Sequence, residues 1–210
     1  MKSFILVLVG LVFLSACTAT DPYADPPADL GAFRLGHNVV IASKAQKGPV
    51  SRNATPEEWV AALRPAVDRR FGQYQGDQLY HIGLSVEGYM LAPPGIPILY
   101  KPKSALIINV TVWDDAAGQK LNDKPKQFTV FEQTTGGSFV LGSGHERTKE
   151  EQMAGLAANA MRQVEKWLIE EREANGWFDP RPGASTTARV PRLSELAPPA
   201  TGTAPPVVTE

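Results

Sequence analysis

Residues 79–113 read LYHIGLSVEGYML, APPGIPILYKPK and SALIINVTVW in succession, and the first and third pieces decide the fold. In the first, Tyr80, Ile82, Leu84, Val86 and Met90 alternate with His81, Ser85 and Glu87. An apolar residue at every second position is the signature of a strand with one covered face. In the third, Leu106, Ile108, Val110 and Val112 form one face, and Ala105, Ile107, Asn109, Thr111 and Trp113 form the other. Because that second face is itself half apolar, this strand is expected at the centre of a sheet.

Upstream, Phe33, Leu35, Val39 and Ile41 alternate with Arg34, Gly36, Asn38 and Val40, which predicts another strand. A helix follows. Thr55, Pro56 and Glu58 form a capping box with proline at the first helical position, and Trp59, Leu63, Val67 and Phe71 recur at intervals of four. Pro65 removes one internal bond and is expected to kink it; Gly72 is expected to end it. Downstream, Asp114-Asp115-Ala116-Ala117-Gly118 turns the chain and Gln127 to Glu132 returns it; Ser138 to Leu141 adds a short strand. A second capping box, Thr148 with Glu151, opens a helix whose apolar positions run from Met153 through Trp167 and Leu168 to a stop at Asn175-Gly176. Trp177 and Phe178 are expected to fold back, since exposed aromatics there would invite aggregation.

The element order is β-α-β-β-β-α. Two helices with one apolar stripe each, and strands with one apolar face, predict an α+β two-layer sandwich. The sheet is expected to be mostly antiparallel, with 4–5 strands and both helices on one face. The domain occupies residues 31–178. That layout resembles several small envelope lipoproteins, among them the lipoprotein partner in lipopolysaccharide export; the likeness is one of element order, not of motif.

The N-terminus addresses the chain to a membrane. Met1-Lys2-Ser3 precedes an eleven-residue apolar run, Phe4 to Leu14, closed by Ser15-Ala16-Cys17. A cationic start, an apolar middle and a small-residue end make a secretion signal, and the run is far short of the ~20 residues a spanning helix needs. The ending L-S-A-C resembles the lipobox of bacterial lipoproteins over residues 1–17. That resemblance implies cleavage before Cys17 and lipidation of Cys17, with two or three acyl chains, enough for stable anchoring. Thr18, in place of the Asp that marks inner-membrane retention in enteric-type sorting, points to the outer membrane, periplasmic side. Cys17 is the chain's only cysteine, so no internal disulfide exists; the alternative, a free thiol in an oxidising compartment, has no partner.

Residues 18–30 (TATDPYADPPADL) read as a flexible tether with a reach of about 3 Å per residue. Residues 179–210 hold seven of the chain's 18 prolines and read as a disordered tail, too poor in apolar surface to offset its ordering entropy. Without Lys2, which leaves with the signal, 21 Lys+Arg become 20 against 22 Asp+Glu. A near-neutral chain lacks the basic stripe of a nucleic-acid binder.

Chemical signatures are sparse. Gly142-Ser143-Gly144-His145 lacks the flanking glycines of a nucleophile elbow and the third glycine of a dinucleotide loop. It reads as a turn before a helix N-terminus, a place that can hold an anion. His37, His81 and His145 lack metal-site spacing, so neither metal nor cofactor is expected, and Asp114 and Asp115 read as turn formers. An enzyme ranks third; a cluster of His81, Glu87 and Ser85 or Ser143 would support one. Two binding candidates remain. The 92–103 loop carries Ile96, Ile98, Leu99 and Tyr100 among four prolines, either packed on its own domain or offered to a partner. The sheet's uncovered face is expected to present His81, Ser85, Glu87, Tyr89, Asn109, Thr111 and Trp113, either to solvent or to a ligand. The expected protein is thus a non-catalytic, lipid-anchored adaptor or assembly factor for another envelope protein. The alternative is a lipoprotein that binds a small molecule or lipid through the open face or the 92–103 loop.

Overall fold

The computed structural model describes Tyr23 and residues 26–93, 103–132 and 147–181. The signal with Cys17, the short strand expected at 138–141, the 142–145 turn, Ile96, Ile98, Leu99 and Tyr100, and nearly all of the 179–210 tail lie outside these residues.

The described chain forms a six-stranded mixed sheet covered on one side by two helices. In order these are β1 (Phe33–Ile41), β2 (Gln46–Lys47), α1 (Pro56–Phe71), β3 (Gln78–Met90), β4 (Ala105–Asp114), β5 (Gln119–Lys120), β6 (Lys126–Phe131) and α2 (Lys149–Asn175). β3 lies between β1 and β4, and β4 is flanked on its other side by β5 and β6, so β4 is central as its two-sided apolar pattern requires. β1 and β2 pair with β3 in parallel; the β3–β4, β4–β5 and β4–β6 pairs are antiparallel. The parallel pair follows from α1, which carries the chain back across the sheet between β1 and β3.

Both capping boxes form as read. Thr55 accepts from the N–H of Glu58 while the Glu58 carboxylate accepts from the N–H of Thr55, and Thr148 and Glu151 repeat the arrangement. α1 runs through Pro65 as one helix. Trp59, Leu63, Val67 and Phe71 of α1, and Met153, Leu156, Ala157, Ala160, Val164, Trp167 and Leu168 of α2, are buried against Tyr80, Ile82, Leu84 and Val86 of β3 and the even-numbered residues of β4. Between the helices sits one buried ion pair: Arg70 meets Glu165, whose other oxygen accepts from Tyr74 Oη at 2.5 Å. Burial, then the Glu165 hydrogen bond, pushes the Tyr74 hydroxyl far above its ordinary pKa.

Two bulges overturn part of the strand reading. The β1–β3 register shifts between Leu35 and Asn38. The shift sends Val40 and Ala42 into the core and leaves Val39 and Ile41 51% and 52% exposed, opposite to the expected phase. The β3–β4 register shifts between Val86 and Gly88, so Tyr89 and Leu91 are buried and Met90 is not. An extra residue in a strand reverses the facing of every residue after it.

The folded body reaches past both expected edges. Leu30, placed in the tether, is buried, and Asp29 pairs with Arg172 at 2.9 Å. At the other end Gly176 takes the left-handed cap at φ 66° and Phe178, also left-handed at φ 64°, is buried. Its ring meets Phe33 and Tyr80 edge-on, and Trp177 meets Trp167 likewise, as expected of aromatics that fold back. Arg181 reaches the buried Asp114. No helix among the described residues is long and apolar enough to cross a membrane.

Candidate functional site

The helices leave one sheet face uncovered, and strand alternation dictates what it shows. From β3 come His81, Gly83 and Ser85; from β4, Ile107, Asn109, Thr111 and Trp113; from β6, Thr129 and Phe131. The β1 bulge adds Val39 and Ile41. Register sets these in rows: Val39, Gly83 and Thr111 lie abreast, as do Ile41, Ser85, Asn109 and Gln127. Gly83 leaves a gap in the first row, for a Cβ placed there would meet only the Thr111 carbonyl oxygen, at 3.7 Å. The result is a shallow trough floored by Gly83 and Ser85. Trp113 and Phe131 stand 40% and 60% exposed, with the Lys120 ammonium 5.4 Å from the Trp113 ring centre.

The β1 bulge also builds a histidine corner. The His37 N–H donates to His81 Nδ1 at 3.0 Å, and the two rings stack with centroids 5.1 Å apart. Since Nδ1 accepts, Nε2 carries the proton and donates to Asp115 Oδ1 at 2.9 Å. Gly36 permits the approach: a Cβ there would sit 2.6 Å from His81 Nδ1. With both ring nitrogens engaged, His81 has no lone pair left for a reacting group. Ser85, four residues along the same strand, is about 13 Å away by strand rise, so His81, Ser85 and Glu87 do not converge into a hydrolytic set. Among the described residues no cluster of three or more His, Cys, Asp or Glu is arranged to hold a metal.

Tyr89 is not on this face. The β3 bulge turns it toward the helices, where its ring lies 5.4 Å from Trp59 and its hydroxyl donates to the Ala54 carbonyl at 2.9 Å. Of the sequence candidates that the structure describes, His81, Ser85, Asn109, Thr111 and Trp113 share the open face. Val39, Ile41 and Phe131 are its unforeseen members. Phe131 was legible, since Phe128 and Val130 of QFTVFE point inward and leave it outside; Val39 and Ile41 were hidden by the bulge.

At the end of the sheet where both helices begin, polar groups gather under cover. Glu132 Oε1 accepts from Arg147 at 3.0 Å, Gln152 donates to the Ala92 carbonyl at 3.1 Å, and the Ala92 N–H donates to Ser104 Oγ at 3.1 Å. Nearby Lys149 bridges α2 to Glu58 of α1 at 2.5 Å. That contact, with the Thr55 N–H, holds the Glu58 carboxyl below its ordinary pKa.

No protein-family model matches the sequence, and no curated protein matches it. Several solved structures are distantly similar to it. Protein XCC0632 of Xanthomonas campestris is 12% identical, covering 68% of this chain and 88% of its own, with a TM-score of 0.38. A minor lipoprotein of Acinetobacter baumannii is 14% identical, covering 65% and 94%, with a TM-score of 0.29. The dodecameric PelC of Paraburkholderia phytofirmans is 10% identical, covering 64% and 92%, with a TM-score of 0.30. At such values these are loose likenesses of layout, and they assign no activity.

Proposed function

We propose that the protein is a lipid-anchored adaptor or assembly factor of the bacterial envelope, held in the outer membrane on its periplasmic side. Cys17 is the anchor and the open sheet face is the surface that meets another envelope protein. One observation carries this reading: a sheet whose other face is fully packed leaves Val39, Ile41, Trp113 and Phe131 standing in solvent. Large apolar side chains left exposed on one uncovered face mark interaction surfaces, while the histidine corner is committed to holding a bulge. The test is photo-crosslinking in intact cells from Ile41, with Lys166 on the outer side of α2 as the control position. A discrete adduct from Ile41 alone is the expected result; equal or absent labelling at both positions rejects the surface. The anchor is tested separately by mass spectrometry of the mature N-terminus and by Cys17→Ser, which is expected to release the protein from membranes.

The second reading, a small-molecule or lipid binder, draws on the gap above Gly83. Gly83→Val would fill it. A ligand-binding trough loses its ligand on that change, whereas a broad protein interface keeps most of its contacts.

A further inference from the structure

The two chain ends leave the domain at the same pole. β1 begins there, β4 ends there, and both helices run their C-termini into it. The segment coming from the anchor is fastened to that pole at successive points. The Tyr23 ring lies 4.4 Å beneath the Arg69 guanidinium in the last turn of α1. Asp29 is paired with Arg172 in the last turn of α2, which also donates to the Asp29 carbonyl at 2.9 Å. The Asp29 carboxylate accepts from the Gly31 N–H at 2.8 Å as well, and Arg172 and that N–H together hold its pKa below the ordinary value. Leu30 is buried, and the Ala32 N–H donates to the Phe178 carbonyl at 2.8 Å, tying the incoming and outgoing segments together.

Chain length then limits how far the domain can stray. From Cys17 to Tyr23 is six residues, at most about 20 Å when fully extended. Were the segment free to Asp29, the limit would be about 40 Å. β3 alone spans about 40 Å from Gln78 at this pole to Met90 at the other. A leash shorter than the body it holds restricts which end of that body can approach the bilayer.

We infer that Tyr23 and residues 26–32 form a docked spacer that clips the anchor to the C-terminal ends of both helices. They keep this pole toward the membrane and hold the opposite end of the sheet, with Ile41 and Phe131, away from it. This rests on Cys17 bearing the anchor, so the test supplies the anchor chemically. The chain from Cys17 onward, which keeps every residue the structure describes, is coupled through its single thiol to maleimide-bearing lipid in phosphatidylcholine vesicles. A donor dye is placed through an azide-bearing amino acid at Asp77, beside the tether pole, or at Lys103, at the far end, with acceptor dye in the lipid. Energy transfer from position 77 is expected to exceed that from 103 several-fold. Combining Tyr23→Ser with Arg172→Gln frees the segment and should erase most of that difference; Tyr23→Ser alone, a change to a partly buried residue at the edge of the core, should erase part of it. Equal transfer from both positions in the parent chain overturns the inference. So does a difference that survives the double variant while its circular dichroism melt matches the parent. Because the thiol is coupled in vitro, a failure of natural lipidation would show only in the Cys17→Ser fractionation and would leave this result standing.

Discussion

The two faces of the sheet are made from the same strands yet carry opposite burdens. On the helix side, Leu106, Ile108, Val110 and Val112 have no solvent exposure and belong to the core that the two helices cover. On the other side their neighbours Ile107, Asn109 and Thr111 are only partly covered and Trp113 is exposed, and no helix lies over them. The covered side is so well excluded from solvent that the ion pair between its helices, Arg70 with Glu165, must be satisfied internally, and Tyr74 is spent on doing so. The open side leaves hydrocarbon in water with nothing gained by folding. A face that contributes little to the fold is free to be shaped by whatever it meets, and the comparison can be broken at four points.

The largest effect is expected from the buried pair. Arg70→Met should destabilise by about 3–5 kcal/mol in urea denaturation, because it strands the Glu165 carboxylate between two helices. Adding Glu165→Gln should recover part of that loss, since the amide oxygen still accepts from Tyr74 and no buried charge remains. If the double variant is no better than the single, the damage comes from lost packing and not from a stranded charge.

Next comes Ile108→Ala, expected to cost about 2–5 kcal/mol as a core truncation. Tyr74→Phe should be milder, about 1–3 kcal/mol, the usual cost of leaving a buried acceptor short of a donor. It also carries a pH signature. The Tyr74 pKa is raised on folding, so at high pH the folded state holds a proton that the unfolded state has lost. Stability from this group is therefore complete below pH 10 and falls as pH climbs beyond it. Tyr74→Phe should flatten that alkaline decline; a slope unchanged from the parent would assign the decline to other groups.

How much of this was legible follows from what sets each feature. β4 and both capped helices could be read directly because their signals are local: alternation, N-caps, the Asn175-Gly176 stop. The phase of β1 after Leu35 and of β3 after Val86 could not, because a bulge is fixed by the partner strand. Its trace in the sequence is the glycine beside each one. Gly36 and Gly88 both interrupt strand patterns, and such a glycine marks a bulge or a close backbone approach. Reading Gly36 that way would have placed Val39 and Ile41 on the open face, and reading Gly88 that way would have removed Tyr89 from it. Parallel pairing of β1 with β3 was implicit in the strand-helix-strand order. The seating of Tyr23 and Asp29 was hidden because its partners, Arg69 and Arg172, lie 46 and 143 residues away in the chain.

The smallest effect is the most discriminating. Ile107 adjoins Ile108 in the chain, carries the same side chain, and faces the other way. Ile107→Thr keeps the β-branch, so strand preference is hardly changed, and the hydroxyl it introduces faces solvent. Its cost in the isolated protein should fall within about 0.5 kcal/mol, the usual range for a surface change. The comparison is sharpened by repeating the melt with the protein in its membrane. If a partner covers the open face there, Ile107→Thr should weaken the Ile41 crosslink while the melt of the purified protein stays put. If the purified protein is destabilised as much as by Ile108→Ala, the face is already covered by the chain itself, and the case for a partner surface falls with it.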